Sequence, residues 1–105
     1  MITISVCMIV KDEEMVLERA LKSVERIADE IIIVDTGSTD RTKKIALKYT
    51  DKVYDFVWCD DFAKARNYSF SKATMDYCMW LDADDIISDS DQEGLINLKK
   101  TLSKD

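Results

Sequence analysis

The sequence predicts an α/β fold: an open parallel sheet with flanking helices and strand order 3-2-1-4. Three observations predict it. Short apolar, β-branched runs alternate with stretches of helical periodicity, in the order β-α-β-α-β-α-β-α. The runs are apolar throughout, as strands covered on both faces are. Polar and acidic clusters follow the end of each run, where the ligand crevice of an open α/β sheet lies.

The first run is Thr3 to Val10, TISVCMIV. Residues 12–28 then place Val16, Leu17, Ala20, Leu21, Val24, Ile27 and Ala28 on one helical face. Glu30 to Asp35, EIIIVD, is the second strand. Gly37 breaks it, and Ser38 or Thr39 can cap the next helix, with Asp40 in its first turn and its end near Tyr49. Val53 to Val57 reads as a short third strand. Asp60 or Asp61 can cap a helix running to about Thr74, with Phe62, Ala65, Ser69 and Ala73 on one stripe. Tyr77 to Leu81, YCMWL, is the fourth strand and ends in Asp82-Ala83-Asp84-Asp85. Ser90 and Glu93 have capping-box spacing ahead of a helix marked by Leu95, Leu98 and Leu102. A connection between parallel strands crosses over right-handed. The doubly wound order then puts the first strand in the centre, with the switch point between strands one and four.

The 105 residues fit one domain, and 47% apolar with 34% charged residues suits a globular core. The formal net charge of −6 disfavours nucleic acid as a partner, because phosphate binding needs a basic face. A divalent cation can still bridge an acidic chain to a phosphate-rich ligand. With no histidine, the commonest general base and zinc ligand are missing. Cys7, Cys59 and Cys78 lack C-x-x-C spacing and read as reduced thiols, which points to the cytoplasm. No apolar stretch reaches the roughly 18–20 residues of a membrane span. No basic leader precedes a long apolar run, so no signal peptide is expected.

The chemistry gathers in three clusters. In extended chain, Asp82 and Asp84 share a side and can converge, and crowded carboxylates repel unless a cation joins them. Magnesium and manganese favour such oxygen ligands. A solvated turn with Asp84 or Asp85 as a helix cap is the alternative. Asp35-Thr36-Gly37-Ser38-Thr39-Asp40 offers a carboxylate for a base N–H or a ribose hydroxyl, and a glycine that permits close backbone approach. An ordinary βα turn would look similar. Arg66 and Asn67 can stand exposed on a helix, or Arg66 can reach a diphosphate or base with its fork of donors.

Together, Ile4 to Glu14, Ile33 to Thr42, Ala65-Arg66-Asn67 and Leu81-Asp82-Ala83-Asp84-Asp85 resemble family-2 glycosyltransferases, in order and spacing from about Ile2 to Ile87. The resemblance implies the nucleotide-diphospho-sugar transferase (GT-A) fold, of which this chain would be the Rossmann-like half. It implies that Val10, Lys11, Glu13 and Asp35 hold the nucleotide, that Arg66 approaches it, and that Asp82 stands nearer the ribose or sugar. It implies Asp84, with Asp82, as ligands of Mn2+ or Mg2+ on the diphosphate. The partners it implies are a nucleotide-diphosphate sugar and an acceptor it does not identify. Two departures stand out: Val10-Lys11-Asp12-Glu13 replaces a Pro-Thr-Tyr-Asn-type stretch, and Asp35-Thr36 replaces paired aspartates. The variant is similar to a bacterial subgroup often fused to helical repeats.

An inverting transferase needs a general base. In the family that carboxylate lies well past the metal motif, so the resemblance implies that residues 1–105 are a single truncated nucleotide-sugar-binding domain that binds donor without transferring sugar. It also implies that Tyr77 to Leu81 forms an uncovered edge through which two copies associate. A haloacid-dehalogenase-like phosphatase also places D-x-D after an apolar strand. Its nucleophilic strand normally comes first, however, and Ile86 stands where that motif often has a small polar residue. A non-catalytic nucleotide- or metal-binding module is the other alternative.

Overall fold

In the computed structural model, which describes residues 2–57, 61–83 and 87–101, the chain forms four strands and four helices. They follow the order β1 (Ile4–Val10), α1 (Leu17–Val24), β2 (Glu30–Asp35), α2 (Thr42–Leu47), β3 (Val53–Asp55), α3 (Phe62–Lys72), β4 (Tyr77–Trp80) and α4 (Asp89–Thr101). All pairings are parallel and the sheet order is β3-β2-β1-β4, as the sequence predicts. Val10 stands beside Asp35, Cys7 beside Trp80, and Asp35 beside Asp55. The carboxyl ends of β1, β2 and β3 therefore lie side by side.

Strand alternation divides the core into two layers. Ile4, Val6, Met8 and Val10 join Ile31 and Ile33 on one face, against Leu17, Ala20, Leu21 and Val24 of α1 and Ala46 of α2. Leu95 and Ile96 of α4 pack against the same cluster. The other face carries α3, which buries only Ala65 and Ser69. Those small residues let the helix sit close over β1, where the Cys7 thiol points at the Ser69 carbonyl. Burial pushes the Cys7 thiol up to about 12, so it is an inert core group. Aromatic rings flank this close approach. Tyr68 meets Tyr54 and Phe56 of the β3 side at 6.3 and 5.0 Å. Phe62 and Phe70 meet Trp80 of β4 at 5.6 and 5.9 Å.

The amino end of the sheet is closed by polar clasps. Glu30 is 5% exposed. It accepts hydrogen bonds from Ser5 Oγ at 2.7 Å, from Thr74 N and Oγ1 at 2.8 Å, and from Lys52 Nζ. One carboxylate thus ties β1 and β2 to the segments that lead into β3 and β4. Asp29 accepts from Ile4 N and Lys99 Nζ, which fastens the last turn of α4 to the same end.

Several helix boundaries differ from those the periodicity predicts. The α1 helix starts at Leu17 rather than near residue 12, because the amides of residues 12–14 donate to side chains of the β2–α2 loop and of Thr42 at the start of α2. The α2 helix starts at Thr42. Ser38 and Thr39 do not cap it but bond across to Asp12, and Asp40 Oδ1 instead receives the Thr42 amide. Asp61 caps α3, accepting from Lys64 N. Its partner in that expectation, Asp60, lies outside the described residues, as do Cys59 and Leu102. Ser88, not Ser90, caps the α4 start by accepting from the Asp91 amide. The third strand ends at Asp55 and the fourth at Trp80, each shorter than predicted.

Candidate functional site

Three of the residues singled out from sequence converge at the carboxyl edge. Val10, Lys11 and Glu13, together with Ile9, Thr36 and Phe62, line a cavity of about 230 Å3. The β1 strand delivers Ile9 and Val10 to its floor. The chain then leaves the sheet, and Lys11 and Glu13 form one wall. Thr36, 7% exposed, closes the β2 side, with its hydroxyl donating to the Val10 carbonyl at 3.3 Å. Phe62, at the start of α3, forms the opposite wall and remains 46% exposed.

Asp35 is placed elsewhere. It is buried, and its Oδ1 receives the amides of Gly37 and Ser38 at 2.8 and 2.7 Å, which shapes the turn around Gly37 at φ +116. That left-handed conformation suits glycine. Oδ2 of Asp35 is buried without a hydrogen-bond partner among the described residues. Asp35 lines a second cavity, of about 330 Å3, with Gly37, Asp55, Phe56 and Val57. Thr36 alone borders both cavities. Asp35 and the Val10–Lys11–Glu13 group are thus neighbours across a shared wall.

Neither Arg66 nor Asp82 lines the first cavity; each is joined to its Phe62 wall through aromatic rings. The Arg66 guanidinium lies over Phe62, 5.8 Å from the ring centre. Phe62 in turn meets Trp80 edge-on, and the Trp80 indole N–H donates to Asp82 Oδ1 at 3.1 Å. The Leu81 amide, one residue before Asp82, donates to the Cys7 carbonyl of β1 at 3.2 Å. Asp82 is exposed, with one oxygen oriented by the indole. A carboxylate held in this way is a hard oxygen donor of the kind Mg2+ and Mn2+ accept. Asp84 lies outside the described residues. Among the described residues, no group of three or more acidic or thiol side chains could hold a metal by itself.

Three cavity residues escape a sequence reading centred on charges: Ile9, which reads only as part of the first strand, Thr36 and Phe62. Thr36 reads as the place where an aspartate is missing. Phe62 reads as part of a core stripe, yet it is nearly half exposed. The signal that separates Phe62 from the core is its position in the first turn of α3, beyond the end of the sheet.

Residues 5–105 match the family described as Glycosyl transferase family 2, and the chain belongs to that family. A TPR repeat-containing protein of Synechococcus elongatus is 47% identical over 85 residues, covering 81% of this chain and 21% of that protein. An uncharacterized glycosyltransferase of Rickettsia typhi is 36% identical over 90 residues, 86% of this chain and 30% of that protein. Among solved structures, S. aureus TarS superposes with a TM-score of 0.77 at 26% identity, covering 91% of this chain and 31% of that one. M. tuberculosis glucosyl-3-phosphoglycerate synthase gives a TM-score of 0.69 at 26% identity, over 81% of this chain and 34% of that one, in a crystal with Mn2+ and uridine-diphosphate-glucose. The chain thus spans less than a third of the length of these two relatives. The fold is that of GT-A glycosyltransferases.

Proposed function

We propose that this chain is the donor-binding region of a glycosyltransferase that takes a sugar from a nucleotide-diphosphate donor. The observation that carries the reading is the convergence of Val10, Lys11, Glu13, Thr36 and Phe62 on one cavity at the carboxyl edge of the sheet. Crystals of TarS with UDP, and of glucosyl-3-phosphoglycerate synthase with UDP and Mg2+, support uridine diphosphate as the first ligand to try. In this reading the base and ribose occupy the cavity. Ile9 and Val10 supply an apolar floor, Thr36 closes the β2 side, Phe62 supplies an aromatic wall, and Lys11 and Glu13 border the opening. Asp35 holds the shared wall, and Arg66, over Phe62, faces the phosphates. Asp82 and Asp84 would hold Mn2+ or Mg2+, whose Lewis acidity offsets charge on the departing diphosphate. The domain binds donor, works in the cytoplasm, and self-associates along β4. The acceptor and its general base belong to regions outside residues 1–105.

Calorimetry with UDP tests the reading directly. Binding is expected to weaken when Mn2+ is replaced by excess chelator. In Asp84→Ala that metal dependence disappears, at a cost of about 2–4 kcal/mol in the presence of Mn2+. Equal UDP affinity with and without the cation contradicts the assignment of the carboxylates.

A further inference from the structure

We propose that Asp12, which does not line the cavity, is the positioning residue that sets where Lys11 and Glu13 stand, and so governs nucleotide affinity. The inference rests on the reading of the cavity as a nucleotide pocket. Asp12 has φ +51, the one non-glycine residue with positive φ among those described. Asp and Asn enter this region more readily than other side chains, because their short polar groups bond locally. Here that turn has a specific result. The amides of three successive residues all aim at the β2–α2 loop and the first residue of α2. Asp12 N donates to Ser38 Oγ at 2.9 Å, Glu13 N to Thr42 Oγ1 at 2.7 Å, and Glu14 N to Asp40 Oδ2 at 3.3 Å.

The bonds run in the other direction too. Asp12 Oδ1 receives Thr39 N at 2.8 Å and Thr39 Oγ1 at 3.4 Å. Glu14 Oε2 receives Arg41 N and Nε, both at 3.3 Å. The acceptor Asp40 is itself held by the Thr42 amide and hydroxyl, and the hydroxyl bond keeps its carboxyl below the usual range, ready to accept. Two loops are thus laced by alternating donors and acceptors, with Asp12 acting as both. The residues on either side of it, Lys11 and Glu13, line the cavity. With the amide of residue 12 and the carboxylate of residue 12 both fixed, its neighbours have little freedom to move. Preorganisation of this kind raises affinity without adding a contact to the ligand.

Three variants separate positioning from plain stability. Asp12→Asn keeps the left-handed preference and the Oδ1 acceptor. Asp12→Gly keeps the backbone freedom and loses the acceptor. Asp12→Ala loses both. UDP affinity in Mn2+ is measured by calorimetry, alongside melting temperature and amide exchange at residues 12–14, 39 and 41. The expected result is near wild-type affinity for Asp12→Asn and about tenfold weaker binding for Asp12→Gly, the scale of a lost charge-assisted hydrogen bond. Exchange at the loop amides should accelerate in Asp12→Gly, while its melting temperature changes little, because relief of the left-handed strain offsets the lost bonds. Wild-type affinity in Asp12→Gly overturns the proposal while leaving the pocket reading intact. A wild-type chain that fails to bind UDP overturns the pocket reading, and the proposal with it.

Discussion

Asp35 and Thr36 are consecutive residues with different surroundings. One oxygen of the Asp35 carboxylate holds the turn amides of Gly37 and Ser38, and the other is buried without a partner among the described residues beside the second cavity, whereas Thr36 also borders the cavity that Val10, Lys11 and Glu13 line. The two substitutions should separate cleanly. Asp35→Ala leaves two turn amides without their acceptor and should cost about 1–3 kcal/mol of folding stability, read from urea denaturation. Thr36→Val keeps the shape, removes one hydroxyl, and should lower UDP affinity with little change in the urea midpoint. The reverse pattern would assign the wall to Thr36 and the ligand to Asp35. The sequence marks this junction as functional from its position at a strand end, but not that the turn would take one oxygen of Asp35. That depends on the hydrogen bonds a turn makes, and the amides of Gly37 and Ser38 both go to Asp35 Oδ1.

At the level of the elements, strands were more legible than helix starts. EIIIVD and ISVCMIV are apolar enough to identify buried strands by themselves, and the strand order follows from alternation and doubly wound topology. Helix starts depend on where a short polar side chain finds its partner. Ser38 and Thr39 look like caps for α2 and Asp40 like a first-turn acid, yet all three bond to a loop some 26 residues away. Glu30 shows the same dependence on distant partners. Burial alone would raise its pKa, but hydrogen bonds from Lys52, Thr74 and Ser5 outweigh burial and bring it from 4.5 to about 2. A carboxyl whose pKa is depressed by folding stabilises the fold above its unfolded value, and that contribution is lost as pH falls through the folded value. The stabilisation is therefore complete above roughly pH 5 and fades toward pH 2, a window set by those two values. Glu30→Gln should cost about 2–3 kcal/mol at pH 7, an amount shared with the partly exposed Lys52, and should flatten the pH dependence of the melting temperature. A variant that keeps the wild-type slope between pH 5 and pH 2.5 would place the acid sensitivity at another carboxylate.

For the molecule as a whole, β4 is an edge. Tyr77 is 49% exposed and Cys78 is exposed beside it, while Met79 and Trp80 are partly covered. Such an edge offers unpaired backbone groups to a second strand. Light scattering over a concentration series should show association of residues 1–105, and Tyr77→Lys should reduce it; a monomer at every concentration would reject the pairing. The same topology also fixes a sequence of events in time. The central strand reaches β2 across about 25 residues, as in the bond from Ser5 to Glu30, and reaches β4 across 73, as in the mutual bonds of Thr3 and Asp76. Closing the longer loop costs about 1 kcal/mol more in chain entropy than closing the shorter one. It also requires residues that leave the ribosome much later. The β1–α1–β2 half is therefore expected to assemble first, with β4 docking onto a strand already paired on its other side. In pulse-labelled refolding, the Thr36 amide, bonded to Val10, should gain protection before those of Tyr77 and Leu81, bonded to Thr3 and Cys7. On that order the cavity wall at the end of β2 forms before Asp82 is brought to its place after β4, and the proposed donor site is assembled in two stages.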